Sequence, residues 1–172
     1  MKKAKLHIVL IAILGMTQNM THAQVKPEKL LSAWDAMTTM VVETAQAMPA
    51  ENYTFKPTEE LRDFADQISH TTGANYLFAS VVKLNTPDPM PLTDTKQKDE
   101  VIGQLKGSFT FIRDGIIKLT QADRNEEIEF FGNKMSRLQS ILIMTSHLQR
   151  EHGKTMIYTR LKGIAPGPTG GW

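Results

Sequence analysis

The residues of this sequence that could do chemistry are few: His70, far from the rest, and the group His147, Glu151 and His152 within His147-Leu-Gln-Arg-Glu151-His152-Gly153. Of the chain's five histidines the remaining two, His7 and His22, fall in the first 23 residues. There is no cysteine, which removes disulfides, thiolate metal ligands and a cysteine nucleophile. No Gly-x-Ser-x-Gly elbow is present, so a serine-histidine-acid hydrolase is set aside. What remains is metal ligation or acid-base work by imidazole and carboxylate. At about 100° per residue, His147 and Glu151 lie within about 40° of each other on a helix, whereas His152 lies about 140° from His147. A regular helix therefore offers His147 and Glu151 to one ion, on a face that also carries Ser140, Met144 and Tyr158. His152 joins them only if the helix is over-wound or carries a π-bulge. Each residue also has a plainer role: a hydrogen-bonded core or surface histidine, and a Glu151 that is solvated or paired with Lys154 or Thr155.

These side chains need helices to hold them. Leu30, Trp34, Met37, Val41, Ala45 and Met48 recur at three to four residues, the spacing of one helical face, with Trp34 as a core anchor. Pro49 breaks this helix, and Pro57 suits the first turn of a second one that carries Leu61, Phe64 and Ile68 and runs through His70 to about Leu84. His70 shares its face with Ala74, Leu77 and Val81. The stripe of Leu61, Phe64 and Ile68 lies opposite and could meet a neighbouring subunit. Pro87, Pro89 and Pro91 force a loop. A third helix is predicted from Val101, Ile102, Leu105, Phe109, Ile112, Ile116 and Leu119. A fourth is predicted from Ile128, Phe131, Met135, Leu138 and Leu142, continuing to about Lys162. No segment alternates like a strand. The expected fold class is all-α: a four-helix bundle with one long proline-rich connection between helices two and three, where polar sites form from inward side chains.

Residues 1–23 read as an export signal: Lys2, Lys3 and Lys5, then an apolar stretch from Leu6 to Met16, then Thr21-His22-Ala23 as a small-residue cleavage site. The apolar stretch is shorter than the roughly 20 residues that span a bilayer, so the mature chain is expected to start at Gln24, exported to a periplasm or beyond, with no stable membrane span. Cleavage leaves 17 Lys and Arg against 18 Asp and Glu, a net charge of −1 with the histidines neutral. Without a basic stripe, nucleic-acid binding lacks its electrostatic term and is excluded. One domain over residues 24–165 is expected, followed by a flexible Pro/Gly tail at 166–172 that includes Trp172.

Three stretches, residues 48–57 with Leu61-Arg-Asp-Phe64 and His70, residues 98–111, and residues 147–166, carry the elements Met48-Pro49, Tyr53-x-Phe55-x-Pro57 and Tyr158-x-Arg160-x-x-Gly163-Ile164-x-Pro166. In these, and in their order along the mature chain, the sequence resembles the DinB-like family of four-helix-bundle, metal-dependent proteins. The resemblance implies three histidine ligands to a divalent metal: one on helix two and two spaced four apart on helix four. His70 and His147 match the first two. The third place falls on Glu151, with His152 one residue late. Three arrangements follow. Glu151 coordinates, giving a two-histidine, one-carboxylate set open to zinc, nickel, manganese or iron; or a bulge lets His152 coordinate and leaves Glu151 as a catalytic general base; or the site is degenerate. The resemblance implies metal-dependent hydrolysis or thiol-dependent transfer on a small molecule, and allows a homodimer. The alternative is a non-catalytic bundle that binds a ligand or partner. Tyr158 and Arg160 could contact an anionic substrate, or simply close a helix with basic residues at its negative end.

Overall fold

The computed structural model describes residues 27–85 and 90–165. The expected export signal, residues 86–89 of the proline-rich connection and the expected tail lie outside them. Four long helices form the bundle: α1 (Pro27–Ala47), α2 (Phe64–Val81), α3 (Lys98–Ile117) and α5 (Arg137–Leu161). Between α3 and α5 come a short helix α4 (Gln121–Asn125) and a hairpin of β1 (Glu127–Phe130) and β2 (Asn133–Ser136). No helix among the described residues is long and apolar enough to cross a membrane.

The apolar stripe of α1 is buried along its whole length. Trp34 anchors it, its indole N–H donating to the Phe109 carbonyl on α3 at 3.4 Å and its ring standing edge-on to Phe109. The α3 stripe from Val101 to Ile116 is equally buried, with Leu119 half-buried at its end. Pro49 ends α1 as expected, and a short 3-10 turn turns Tyr53 back inward, where its hydroxyl donates to the Ala45 carbonyl at 2.8 Å.

Helix α2 does not begin at Pro57. The chain bends through residues 57–62 and the helix starts at Phe64, because Asp63 accepts a hydrogen bond from the Asp66 amide at 2.7 Å as N-cap. The Phe64 and Ala65 amides are already committed to the Phe55 and Tyr53 carbonyls. Leu61 therefore sits exposed in the bend. Phe64 and Ile68 are buried in this chain's own core, not set toward a neighbouring subunit.

The fourth long helix also begins later than the spacing suggests. Ile128, Phe131 and Met135 belong to an antiparallel hairpin in which Ile128 faces Met135 and Phe130 faces Asn133. In β1 exposed and buried residues alternate, placing Ile128 and Phe130 inward. Phe131 and Gly132 both take positive φ, 47° and 82°, as a two-residue hairpin turn requires. Ser136 then caps α5: its hydroxyl accepts from the Gln139 amide while the Gln139 side chain accepts from the Ser136 amide. From there α5 runs 25 residues as unbroken α-helix, presenting Ser140, Ile141, Met144, Leu148, Glu151 and Tyr158 to the interior.

Candidate metal centre

Helix α2 packs against α5, which brings residues 70 and 147 into register across the helix interface. The donor atoms of His70, His147 and Glu151 all lie within 4.8 Å of one another. His70 Nε2 is 4.0 Å from Glu151 Oε2, and His147 Nε2 is 3.5 Å from Glu151 Oε1. The two imidazole centroids stand 6.0 Å apart. Glu151 is 1% exposed while the rings of His70 and His147 keep an opening to solvent, so the carboxylate forms the floor of the group and the imidazoles its rim.

The hairpin that sequence spacing concealed contributes to this site. Phe78 on α2 packs against the His147 ring at 5.0 Å and stacks on Phe130 of β1, with Phe131 edge-on beside it. An aromatic wall thus holds His147 from behind.

Two residues to which the sequence assigns no role at the site complete the surroundings. Gln67, one turn before His70, donates its amide N–H to Glu151 Oε2 at 2.7 Å. Arg62 lies close enough for its charge to act on His70. Lys154 does form the ordinary pairing open to Glu151, its ammonium 2.9 Å from both carboxylate oxygens, and Arg150 Nε adds a contact of 3.3 Å to Oε1. Thr155 instead donates to the His152 carbonyl. No sequence signal marks Gln67, since an amide at helical spacing is common on any helix.

His152 stands apart from this group. Its Nε2 shares a 2.9 Å hydrogen bond with the Thr44 hydroxyl on α1, and both residues are buried. Helix α5 shows neither the over-winding nor the bulge that would swing His152 toward His147. Tyr158 is buried with its hydroxyl donating to the Arg62 carbonyl at 2.8 Å, whereas Arg160 is exposed.

The protonation states suit a cation. Burial, reinforced at His70 by Arg62, pushes both imidazoles below their ordinary value of 6.5 against the pull of Glu151, leaving them neutral with a free lone pair. Burial alone would raise the Glu151 carboxyl, but the hydrogen bonds from Lys154 and Gln67, with the charges of Lys154 and His147, hold it down to about 2. Two neutral nitrogens and one anionic oxygen on a buried floor are a donor set that a divalent ion can use without first displacing protons. The same floor is also satisfied internally by Lys154 and Gln67, so an ion must draw the lysine away.

The DinB superfamily model matches residues 33–156. Among solved structures, a DinB-like protein from Bacillus cereus ATCC 10987 superposes with a TM-score of 0.70 at 16% identity, covering 81% of this chain and 94% of that one. A DinB-like protein from Bacillus subtilis does so with a TM-score of 0.66 at 19% identity, covering 78% and 92%. No curated protein matches the sequence.

Proposed function

The chain belongs to the DinB superfamily, and on that premise we propose that it is an exported protein that binds one divalent ion between α2 and α5 and uses it in hydrolysis or thiol-dependent transfer on a small molecule. The observation that carries the reading is the convergence of His70, His147 and Glu151, from two helices far apart in sequence, within 4.8 Å. His70 Nε2, His147 Nε2 and a Glu151 oxygen would hold the ion. Zinc, nickel, manganese and iron all accept such a set.

A bound ion supplies Lewis acidity toward a substrate carbonyl or thiol. The chain does the rest. The half-open rim of His70 and His147 admits the substrate, and the wall of Phe78, Phe130 and Phe131 excludes water from one side. Gln67 fixes the orientation of Glu151. With no cysteine in the sequence, a thiol would have to come with the substrate. The basic, apolar and small-residue succession of residues 1–23 supports export, and an intact mass beginning at Gln24, from protein recovered in its native host, tests it.

Elemental analysis tests the metal reading directly. Protein purified without a histidine tag should carry or take up about one ion per chain, and uptake below about a tenth of an ion after reconstitution overturns the reading. One observation favours a second reading. Both Glu151 oxygens already accept hydrogen bonds from Lys154, and Gln67 and Arg150 add two more. On that account the floor is neutralised within the protein, and the bundle binds a ligand or partner without catalysis.

A further inference from the structure

Beside the metal centre lies a cavity of about 490 Å³, bounded by the bend at residues 57–62, the first turn of α2 and the last turns of α5. It shares a wall with the centre, because Gln67 and Lys154, which both bond to Glu151, also line the cavity. Its other walls are of two kinds. Leu61 and Ile157 are apolar side chains exposed to it at 47% and 58%, left over from the core. Arg62 is exposed, and its guanidinium makes no hydrogen bond or ion pair with the other described residues. The root of that arginine is nonetheless fixed: the Tyr158 hydroxyl holds its carbonyl, and the next residue, Asp63, caps α2. The one acidic lining residue, Glu60, is engaged by the Thr58 side chain.

We propose that this cavity binds a small organic monoanion, a carboxylate with an apolar tail, with Arg62 as its anchor and Lys154 as a cation it shares with Glu151. Lys154 is already paired with Glu151, so Arg62 is the lining cation left to meet one anionic head. A guanidinium fork suits a carboxylate in particular. Leu61 and Ile157 give the tail somewhere to go. The sharing of Lys154 has a consequence that rests on the metal reading above. An anion that draws the ammonium off Glu151 removes the lysine from both carboxylate oxygens and leaves only the Gln67 and Arg150 contacts, which opens a lone pair on each oxygen to a divalent ion, so anion and metal strengthen each other's binding, by equal factors.

The experiment uses octanoate and zinc as probes on the tagless chain, followed by titration calorimetry. Metal-free wild type should bind octanoate saturably and at least about tenfold more tightly than acetate, since each buried methylene adds roughly fourfold. Arg62→Gln should weaken octanoate binding at least about tenfold, while His70→Gln leaves it unchanged. Zinc and octanoate should tighten each other in wild type, and Lys154→Met should abolish that coupling. Absence of saturable octanoate binding, equal affinity for acetate, or an unaffected Arg62 variant overturns the pocket. Coupling that is absent in wild type, or that survives in the Lys154 variant because octanoate itself ligates the metal, overturns the role of Lys154. Octanoate binding is read without metal, so its failure is separate from a failure to take up zinc, which sinks only the metal reading and the coupling built on it.

Discussion

Glu151 and His152 are neighbours in sequence and opposites in the fold, so replacing the two should give distinct outcomes. Glu151→Gln keeps the shape of the side chain and removes its charge. Metal affinity should fall by more than the about 10- to 100-fold that follows loss of a group merely touching a ligand, which is a loss of at least about 2.7 kcal/mol. The metal-free fold should lose some stability. A glutamine oxygen can still accept from Gln67, but Lys154 and Arg150 lose an anionic partner that is itself 1% exposed; losing charged hydrogen bonds at a buried acceptor costs about 1–3 kcal/mol. That corresponds to a Tm lower by roughly 2–12 °C. His152→Ala should act on stability and spare the metal. It empties a buried ring position and strands the Thr44 hydroxyl, 2.9 Å from the lost nitrogen. The cavity and the broken hydrogen bond together cost about 2–4 kcal/mol, on the order of 5–15 °C in Tm, with metal affinity unchanged within about threefold. Zinc competition against a chromophoric chelator and thermal unfolding by circular dichroism read the two axes. A His152 variant that loses metal while the Glu151 variant keeps it would refute the placement of both residues.

The structure leads to three further expected outcomes. His70 and His147 titrate below 6.5 and Glu151 near 2, so protons should cease to compete for the ligands above pH 6.5, and zinc affinity should fall as pH drops through the lowered imidazole values. Calorimetry in two buffers of different ionisation enthalpy at about pH 7.5 should show release of at most about the one proton that a zinc-bound water gives up, and release of about two or more per ion would contradict the neutral imidazoles. Gly115→Ala would place a methyl 3.0 Å from Leu84 Cβ and 3.1 Å from its Cδ1, an overpacking that should cost about 1–3 kcal/mol in denaturant unfolding; an unchanged midpoint would show that the turn after α2 yields freely. Tyr158→Phe removes the hydrogen bond to the Arg62 carbonyl and should lower stability by about 1 kcal/mol, visible as a Tm lower by roughly 2–4 °C.

Most of the fold was legible because most of it obeys one period. The stripes of α1 and α3 can be read residue by residue, and each predicted core position on them is at least half-buried. The hairpin was not legible by the same rule. Strands of four residues give only two inward positions each, and Ile128, Phe131, Met135 and Leu138 happen to fall at helical spacing. The contrary signals were present in the turn glycine Gly132 and in the capping box from Ser136 to Gln139. Pro57 misled for a related reason, since it is permitted at a helix start without requiring one, while Asp63 supplies the cap. At the site, the 40° between His147 and Glu151 is a property of one helix and could be counted. The approach of His70 depends on how α2 packs on α5, which no local pattern encodes. The export signal falls outside the described residues, as does the tail.

The one-residue offset between Glu151 and His152 makes the rotation of α5 about its own axis the quantity on which the site depends. A turn of about 100° would exchange one residue for the other at the interface with α2. Three attachments along the helix oppose such a turn. At its start, the Ser136 capping box and the Arg137–Glu126 ion pair tie it to the hairpin. Near its middle, His152 bonds to Thr44 on α1. Near its end, the Tyr158 hydroxyl bonds to the Arg62 carbonyl. These act on different faces and on different partners, so removing one leaves two to hold the register. That redundancy is why loss of His152 should appear in stability and not in metal affinity. The histidine set one place beyond the ligand position then helps keep α5 turned so that its neighbour faces His70 and His147.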